Sequence, residues 1–291
     1  MLLSTETGWL RRRFDDKTAV RMIKEAGFDA FDYSFCYSLD QPEKDMLGED
    51  YLERAYELKE FMEEIGIVCN QSHAPLDFRH WDEISLSDYK YLRNIRSIEV
   101  ASILGCKNII VHALGSVLNS DLDYFEYNRN YLRSYIPYCK KFNVHISVEN
   151  LSTVDSERNA IGVPGITTPE EIISWVESLG SEWFNFCVDT GHAAISGVEP
   201  ENLISALNNK QLAALHIHDN NWLDDQHLLP YEGKLNWDNI TAALRKIDYK
   251  GDFTLESTNF FNPVPNELVM PALKFAEKTG RYLIDKIKVA Y

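Results

Sequence analysis

The chain has 291 residues, 45% of them hydrophobic, and 45 acidic against 29 basic side chains give a formal net charge of −16. That length suits one large α/β domain spanning 1–291, and no Ser/Gly-rich linker, low-complexity tract or internal repeat divides it. The acidic balance argues against nucleic acid, whose phosphates are gripped by clustered Lys and Arg; with no signal-like leader and no 18-residue apolar run, a soluble cytoplasmic protein is expected.

Short apolar runs alternate with longer amphipathic ones. "LLSTE" opens the chain as a strand, and Arg11-Arg12-Arg13 after it reads as a solvated helix start. "TAVRMIKEAG" predicts a helix capped by Gly27, followed by a strand in "FDAFDYSF" near 28–35. "DYLERAYELKEFMEEIG" has apolar residues at 52, 55, 58, 61, 62 and 65, a helical period, before strand "IGIVCNQSHA" at 65–74. "SDYKYLRNIRSIEVASILG" leads into strand "KNIIVHALG" at 107–115. "FEYNRNYLRSYIPYCKKF", which Pro137 should interrupt, leads into "VHISVENLS" at 144–152. "TTPEEIISWVESLG", with Thr168 as N-cap and Pro169 in the first turn, leads into "FNFCVDTGHA" at 184–193. Strands at 212–221 and 252–257 enclose helix "WDNITAALRKI", and a helical segment over 265–287 closes the series.

Eight β-then-α units in one chain predict a single parallel (β/α)8 TIM barrel. A doubly wound sheet would show a Gly-rich phosphate turn, and neither "STETG" nor "QSHAP" is one. The five cysteines, Cys36, Cys69, Cys106, Cys139 and Cys187, form no C-x-x-C, and most sit in apolar surroundings, as buried free thiols of a reducing compartment would.

The chemistry gathers at the strand ends. His73 ends the third strand, His112 the fourth, Glu149 the fifth, Asp189 the sixth with His192 a turn later, His216 and His218 the seventh, and Glu256 the eighth. In a (β/α)8 barrel these ends share the C-terminal rim, where catalytic groups sit. A carboxylate at the end of an apolar strand costs several kcal/mol to bury unpaired. The strands offer almost no Lys or Arg, and three acids on one rim would raise one another's pKa, so a cation is the natural counter-charge. An oxygen-rich set with one imidazole suits Mn²⁺, Mg²⁺, Co²⁺ or Zn²⁺. Alternation along a strand puts His216 and His218 on one face, about 6.6 Å apart.

At these residues the sequence resembles the xylose isomerase-like barrel superfamily, which holds sugar isomerases, ketose 3-epimerases, inosose-processing enzymes and AP endonucleases of the endonuclease IV type. The resemblance rests on "QSHAP", "IIVHALG", "SVENLS", "CVDTGHAAISG", "LHIHDNNWLDDQHLLPYEGKLNW" and "FTLES", which span nearly the whole chain. The epimerase branch implies one divalent metal held by Glu149, Asp189, His216 and Glu256, with His192 on a substrate oxygen. Its ligand histidine sits in H-x-x-[DE], which His216 to Asp219 fits; His218 then falls to the pocket rim. The endonuclease IV branch implies three zinc ions held by His73, His112, Glu149, Asp189, His192, His216, Asp225, His227 and Glu256. Asp225-Gln226-His227 occurs in both branches, whereas the net charge speaks against gripping a duplex. Tyr231 stands where the resembling motif has Gly. The expected function is a metal-dependent sugar, sugar phosphate or inosose isomerase or epimerase. Glu149 and Glu256 would exchange the proton through a cis-enediolate. A multinuclear zinc phosphodiesterase and a dehydratase or lyase acting on a polyol-derived ketone are the alternatives. Trp9, Tyr33 and Trp222, with Phe31 and Phe260, would form an apolar wall against a small carbohydrate. Relatives of this kind are commonly dimers or tetramers, which implies a homo-oligomer.

Overall fold

The computed structural model of the protein describes residues 1–36, 45–76, 88–113, 124–151, 168–209 and 211–289. Its strands are β1 (Leu3–Glu6), β2 (Ala30–Ser34), β3 (Val68–His73), β4 (Asn108–Val111), β5 (His145–Glu149), β6 (Phe184–Asp189), β7 (Leu212–His216) and β8 (Phe253–Leu255). Each expected strand is present. They pair in parallel in chain order, and β8 returns to β1. β7 and β8 meet through one bridge, in which the Ile217 N–H donates to Thr254 O and the Glu256 N–H to Ile217 O, both at 2.9 Å. The ring therefore closes as a TIM barrel.

Local sequence explains where the helices start and stop. Asp15 accepts the Thr18 N–H at 2.9 Å and opens helix Asp16–Ala26, which ends at Gly27 with φ +109°, a left-handed position that favours glycine. Thr168 and Glu171 form a reciprocal capping box on helix Pro169–Ser178. The segment around Pro137 is two helices, Tyr124–Ser134 and Ile136–Phe142, because proline fits the first turn of a new helix and not the interior of an old one. The last helix, Val269–Lys288, is tied down by Arg281, whose guanidinium donates to both oxygens of Asp29 at 2.5 and 2.7 Å. Asp29 in turn accepts the Leu3 N–H of β1 at 2.9 Å.

Two expectations change. The sixth and seventh strands stop at Asp189 and His216; Thr190–Ile195 is a short helix, opened by Asp189 accepting the His192 N–H at 2.6 Å. The arginine run is not a solvated helix start. Arg11 is buried, reaches Ser34 O and Asp16 and stacks over Tyr33, while Arg13 donates to the carbonyls of Phe261, Asn262 and Val264. The cysteine expectation holds: four thiols are buried, Cys36 is partly exposed, and all five are free. The ends of the fourth and fifth expected strands, at 114–115 and 152, lie outside the described residues. Among the described residues no helix is long and apolar enough to cross a membrane.

Candidate metal centre and cavity

The strand ends place their polar groups around one cavity of about 320 Å³ at the C-terminal face. Its wall includes His73, His112, Glu149, His192, Asp225, His227 and Glu256. His216 and Asp189 lie beneath it, fully buried.

Three neighbouring donor groups emerge among the described residues, and a fourth set, His73, His216 and Glu256, overlaps the first two. His73 Nε2 lies 3.0 Å from His112 Nε2; Glu149 Oε2 is 2.8 Å from His112 Nε2 and 3.8 Å from His73 Nε2. Below them, His216 Nδ1 is 3.1 Å from Glu149 Oε1 and 3.3 Å from Glu256 Oε2, and Asp189 completes the set. Toward the rim, Asp225 Oδ2 is 3.5 Å from His192 Nε2 and 3.2 Å from His227 Nε2. Glu149 thus belongs to two groups at once.

These spacings suit metal ligation. Bonds of about 2.0–2.1 Å in a tetrahedron put neighbouring donor atoms about 3.3 Å apart, and the measured separations bracket that value. The donor chemistry agrees: every ion pair that Glu149, Asp189, Asp225 and Glu256 make among the described residues is to a histidine. Glu256 Oε2 is buried with no hydrogen-bond partner. A divalent ion fits all three groups.

The electrostatics of the bare site are uneven. Burial pushes the Glu256 carboxyl up to about 8, against the pull of His216 and His227. Burial also works against Glu149 as an anion, yet His216 and His112 hold it well below the usual carboxylate range. Burial, helped by His112, lowers His73 to about 3, so it stays a neutral donor. His227 rises to about 10 despite its burial, because Asp225 hydrogen-bonds it.

His216 and His218 part company. β7 ends at His216, whose Nε2 meets Asp32 Oδ2 at 3.3 Å while Nδ1 faces the carboxylates. A carboxylate behind a metal-facing imidazole fixes its ring orientation and tautomer. His218 is fully buried and is not at the pocket rim; it contacts Asp189 at 3.0 Å, stacks on His227 at 4.0 Å and belongs with the His192, Asp225 and His227 group. Gly191 of "DTGH" makes room for it, since a Cβ there would stand 1.9 Å from His218 Cε1. Asp219 holds no partner in the donor groups. It accepts from the backbone N–H of Asn220, Tyr231 and Leu235 and from Trp237 Nε1 at 2.8–3.1 Å, and so fixes the loop that carries Asp225 and His227. Tyr231, at the motif's glycine position, keeps the left-handed backbone with φ +79°.

The expected aromatic wall is not built. Trp9 is buried and stacked on Phe261 at 3.9 Å, Tyr33 is buried under Arg11, and Trp222 sits in the β7–β8 loop; none lines the cavity, and neither do Phe31 or Phe260. Sequence reasoning also passes over four residues. Asp32 backs His216, and its Oδ2 also accepts from Gln71 Nε2 at 2.8 Å. Asn150 joins the tips of β5 and β6, accepting the Asp189 N–H at 2.8 Å and donating to Asp189 O at 2.9 Å. Cys36 Sγ touches His73 Nδ1 at 3.0 Å. Glu6 ends β1 and lines the cavity. Glu6 carries the signal that marks Glu149, an acid closing a buried strand, whereas Asp32 stands in the middle of β2.

A family model described as xylose isomerase-like TIM barrel matches residues 20–278. The chain belongs to this xylose isomerase-like TIM barrel family. A D-psicose 3-epimerase of Enterocloster bolteae is 25% identical over 263 residues, 85% of this chain and 79% of that protein. Uncharacterized relatives from Methanocaldococcus jannaschii and Sinorhizobium fredii are 27% and 29% identical, over 56% and 61% of this chain. The chain spans about half the length of these two, 53% and 55%. Among solved structures, a D-tagatose 3-epimerase-like protein superposes with a TM-score of 0.78 at 20% identity, covering 99% of this chain and 98% of the other. The IolI protein with a bound zinc atom superposes at 0.70 and 15% identity, over 99% and 98% of the two chains. At these identities the superpositions speak for the barrel that this family member shares.

Proposed function

We propose that the protein is a divalent-metal-dependent isomerase or epimerase of a small polyhydroxylated carbonyl compound. The observation that carries this reading is the pair Glu149 and Glu256, which approach the same His216 nitrogen from β5 and β8 and line one cavity of sugar size. The family membership and the likeness to a D-psicose 3-epimerase support it. Glu149, Asp189, His216 and Glu256 would hold the ion, Mn²⁺, Zn²⁺, Mg²⁺ or Co²⁺. It would supply Lewis-acid polarisation of the carbonyl and so acidify the neighbouring C–H.

The residues do the rest. One of the two glutamates takes the proton from carbon, and the other returns one to the opposite face of the cis-enediolate. His192, on the cavity wall between Glu149 and Asp225, donates to the oxygen where charge develops.

A turnover panel of ketoses, aldoses and inososes with added Mn²⁺ tests the reading, with product formed in D₂O examined for deuterium at the reacting carbon. Glu149→Gln and Glu256→Gln should each lower kcat by about 10²–10⁴, the usual worth of a general acid or base. Both variants keeping full turnover, or products free of solvent deuterium, would sink the two-glutamate scheme.

A second reading has its own observation. His192, Asp225 and His227 form a third donor group beside the two that share Glu149, as a three-zinc phosphodiesterase needs. Metal analysis separates the two: about one ion per chain with sugar turnover favours the first, while three zinc ions with cleavage of a phosphodiester favour the second.

A further inference from the structure

The proposed reaction leaves one buried acid of the cavity unused. Glu6 ends β1, which stands across the ring from β5 and Glu149, with three strands between them in either direction. It is only 3% exposed, yet it lines the same cavity. Its two oxygens have different lots. Oε1 accepts the Gly8 N–H at 2.8 Å, which fixes the side chain at the start of helix Gly8–Arg11. Oε2 is buried and makes no hydrogen bond. Burial raises this carboxyl, and the neighbouring Ser34 hydroxyl offsets that only in part. Capping a four-residue helix uses one oxygen, and a short Asp or Ser does it at the surface. A glutamate turned into the barrel costs desolvation and keeps at the cavity an acceptor oxygen with the Ser34 hydroxyl beside it but no well-formed hydrogen bond. Around it the wall has Ser34 and Cys36 from the β2 end and Thr258 and Asn259 after β8, and among the described residues no lysine or arginine.

We propose that Glu6 is a substrate-contacting specificity residue, whose Oε2 accepts a hydrogen bond from a hydroxyl at the end of the substrate farthest from Glu149. The inference rests on the isomerase reading for the kind of substrate, and on the cavity for the rest. A compound long enough to cross from Glu149 to Glu6 gains the contact; a shorter one does not. Among the described residues of the lining, a phosphate at that end meets a carboxylate and no lysine or arginine, so it is disfavoured.

Binding to the Mn²⁺-loaded protein tests this, read by calorimetry for a hexulose, its 6-phosphate and a four-carbon ketose. Glu6→Ala should weaken hexulose binding about 10–100-fold, the worth of a hydrogen bond to a charged group, and leave the four-carbon ketose within about twofold. Glu6→Gln keeps an acceptor oxygen and should recover most of the loss. Metal content and melting temperature of both variants show that the fold and donor groups are intact, and the short ketose serves as a control for a merely structural defect. Equal weakening of both ketoses, no weakening of either, tighter binding of the 6-phosphate than of the hexulose, or no hexulose binding to the wild type would each overturn the proposal. Hexulose that binds through Glu6 without being turned over would instead overturn the isomerase reading alone.

Discussion

His216 and His218 are two positions apart and belong to different donor groups, because the strand ends between them. His216→Ala should empty the group built on Glu149, Asp189 and Glu256. His218 touches Asp189 and His227 but no cavity surface, so His218→Ala should weaken metal retention about 10–100-fold, as loss of a supporting residue does, and should not act as a substrate contact. Elemental analysis after dialysis checks both; His218→Ala that keeps its metal and changes only KM would restore the rim assignment. At this scale the donors are the legible part of the sequence. An acid or imidazole closing an apolar strand is expensive without a partner, and that cost is visible in the letters. Which way Trp9, Tyr33 and Trp222 face is not, since an aromatic near a strand tip is stabilised equally well behind the barrel as over the cavity. Glu6 is legible by the same rule as Glu149, but it closes a strand without His, where the pattern is weaker; Asp32, in the middle of β2, is not marked by that rule.

Among the elements, apolar periodicity and capping residues locate every strand, the helix start at Thr168 and the helix end at Gly27. Strand lengths escape, because an apolar run continues into the next helix without a break at Asp189. The alternation that would pair His216 with His218 likewise stops applying once the backbone leaves the sheet after His216. The anchoring of the last helix also escapes, since Asp29 and Arg281 are 252 positions apart. That pair makes a pH prediction. Hydrogen bonds from Arg281 hold the Asp29 carboxyl below its ordinary 3.8. A lowered carboxyl stabilises the fold above its unfolded pKa and loses that contribution as pH falls through the folded value. Both groups are about one-third exposed, so the pair contributes about 1 kcal/mol after screening. Asp29→Asn should lower Tm by about 2–4 °C at pH 7. The gap to wild type should close on acidification below the folded pKa. Calorimetry at both ends checks it, and a gap that is constant with pH would refute the assignment.

For the molecule as a whole, eight strands in chain order make a ring with one thin place. Elsewhere neighbouring strands share a ladder; β7 and β8 share the bridge at Ile217 alone. Two of the proposed ligands stand on its two sides, His216 just before Ile217 and Glu256 just after Leu255. An ion bound by both would act as a clasp across the joint, stabilising the closed ring over any locally opened form by mass action. Amide hydrogen exchange at Ile217 and Glu256 should therefore slow when metal is added, and chelator should release those two amides before the β3–β5 ladder. Exchange there that ignores metal would uncouple the joint from the site. If it holds, the barrel's weakest seam is also its metal gauge: a cell short of the ion would present a protein that opens at a defined place, and is trimmed there, rather than one that merely stands idle.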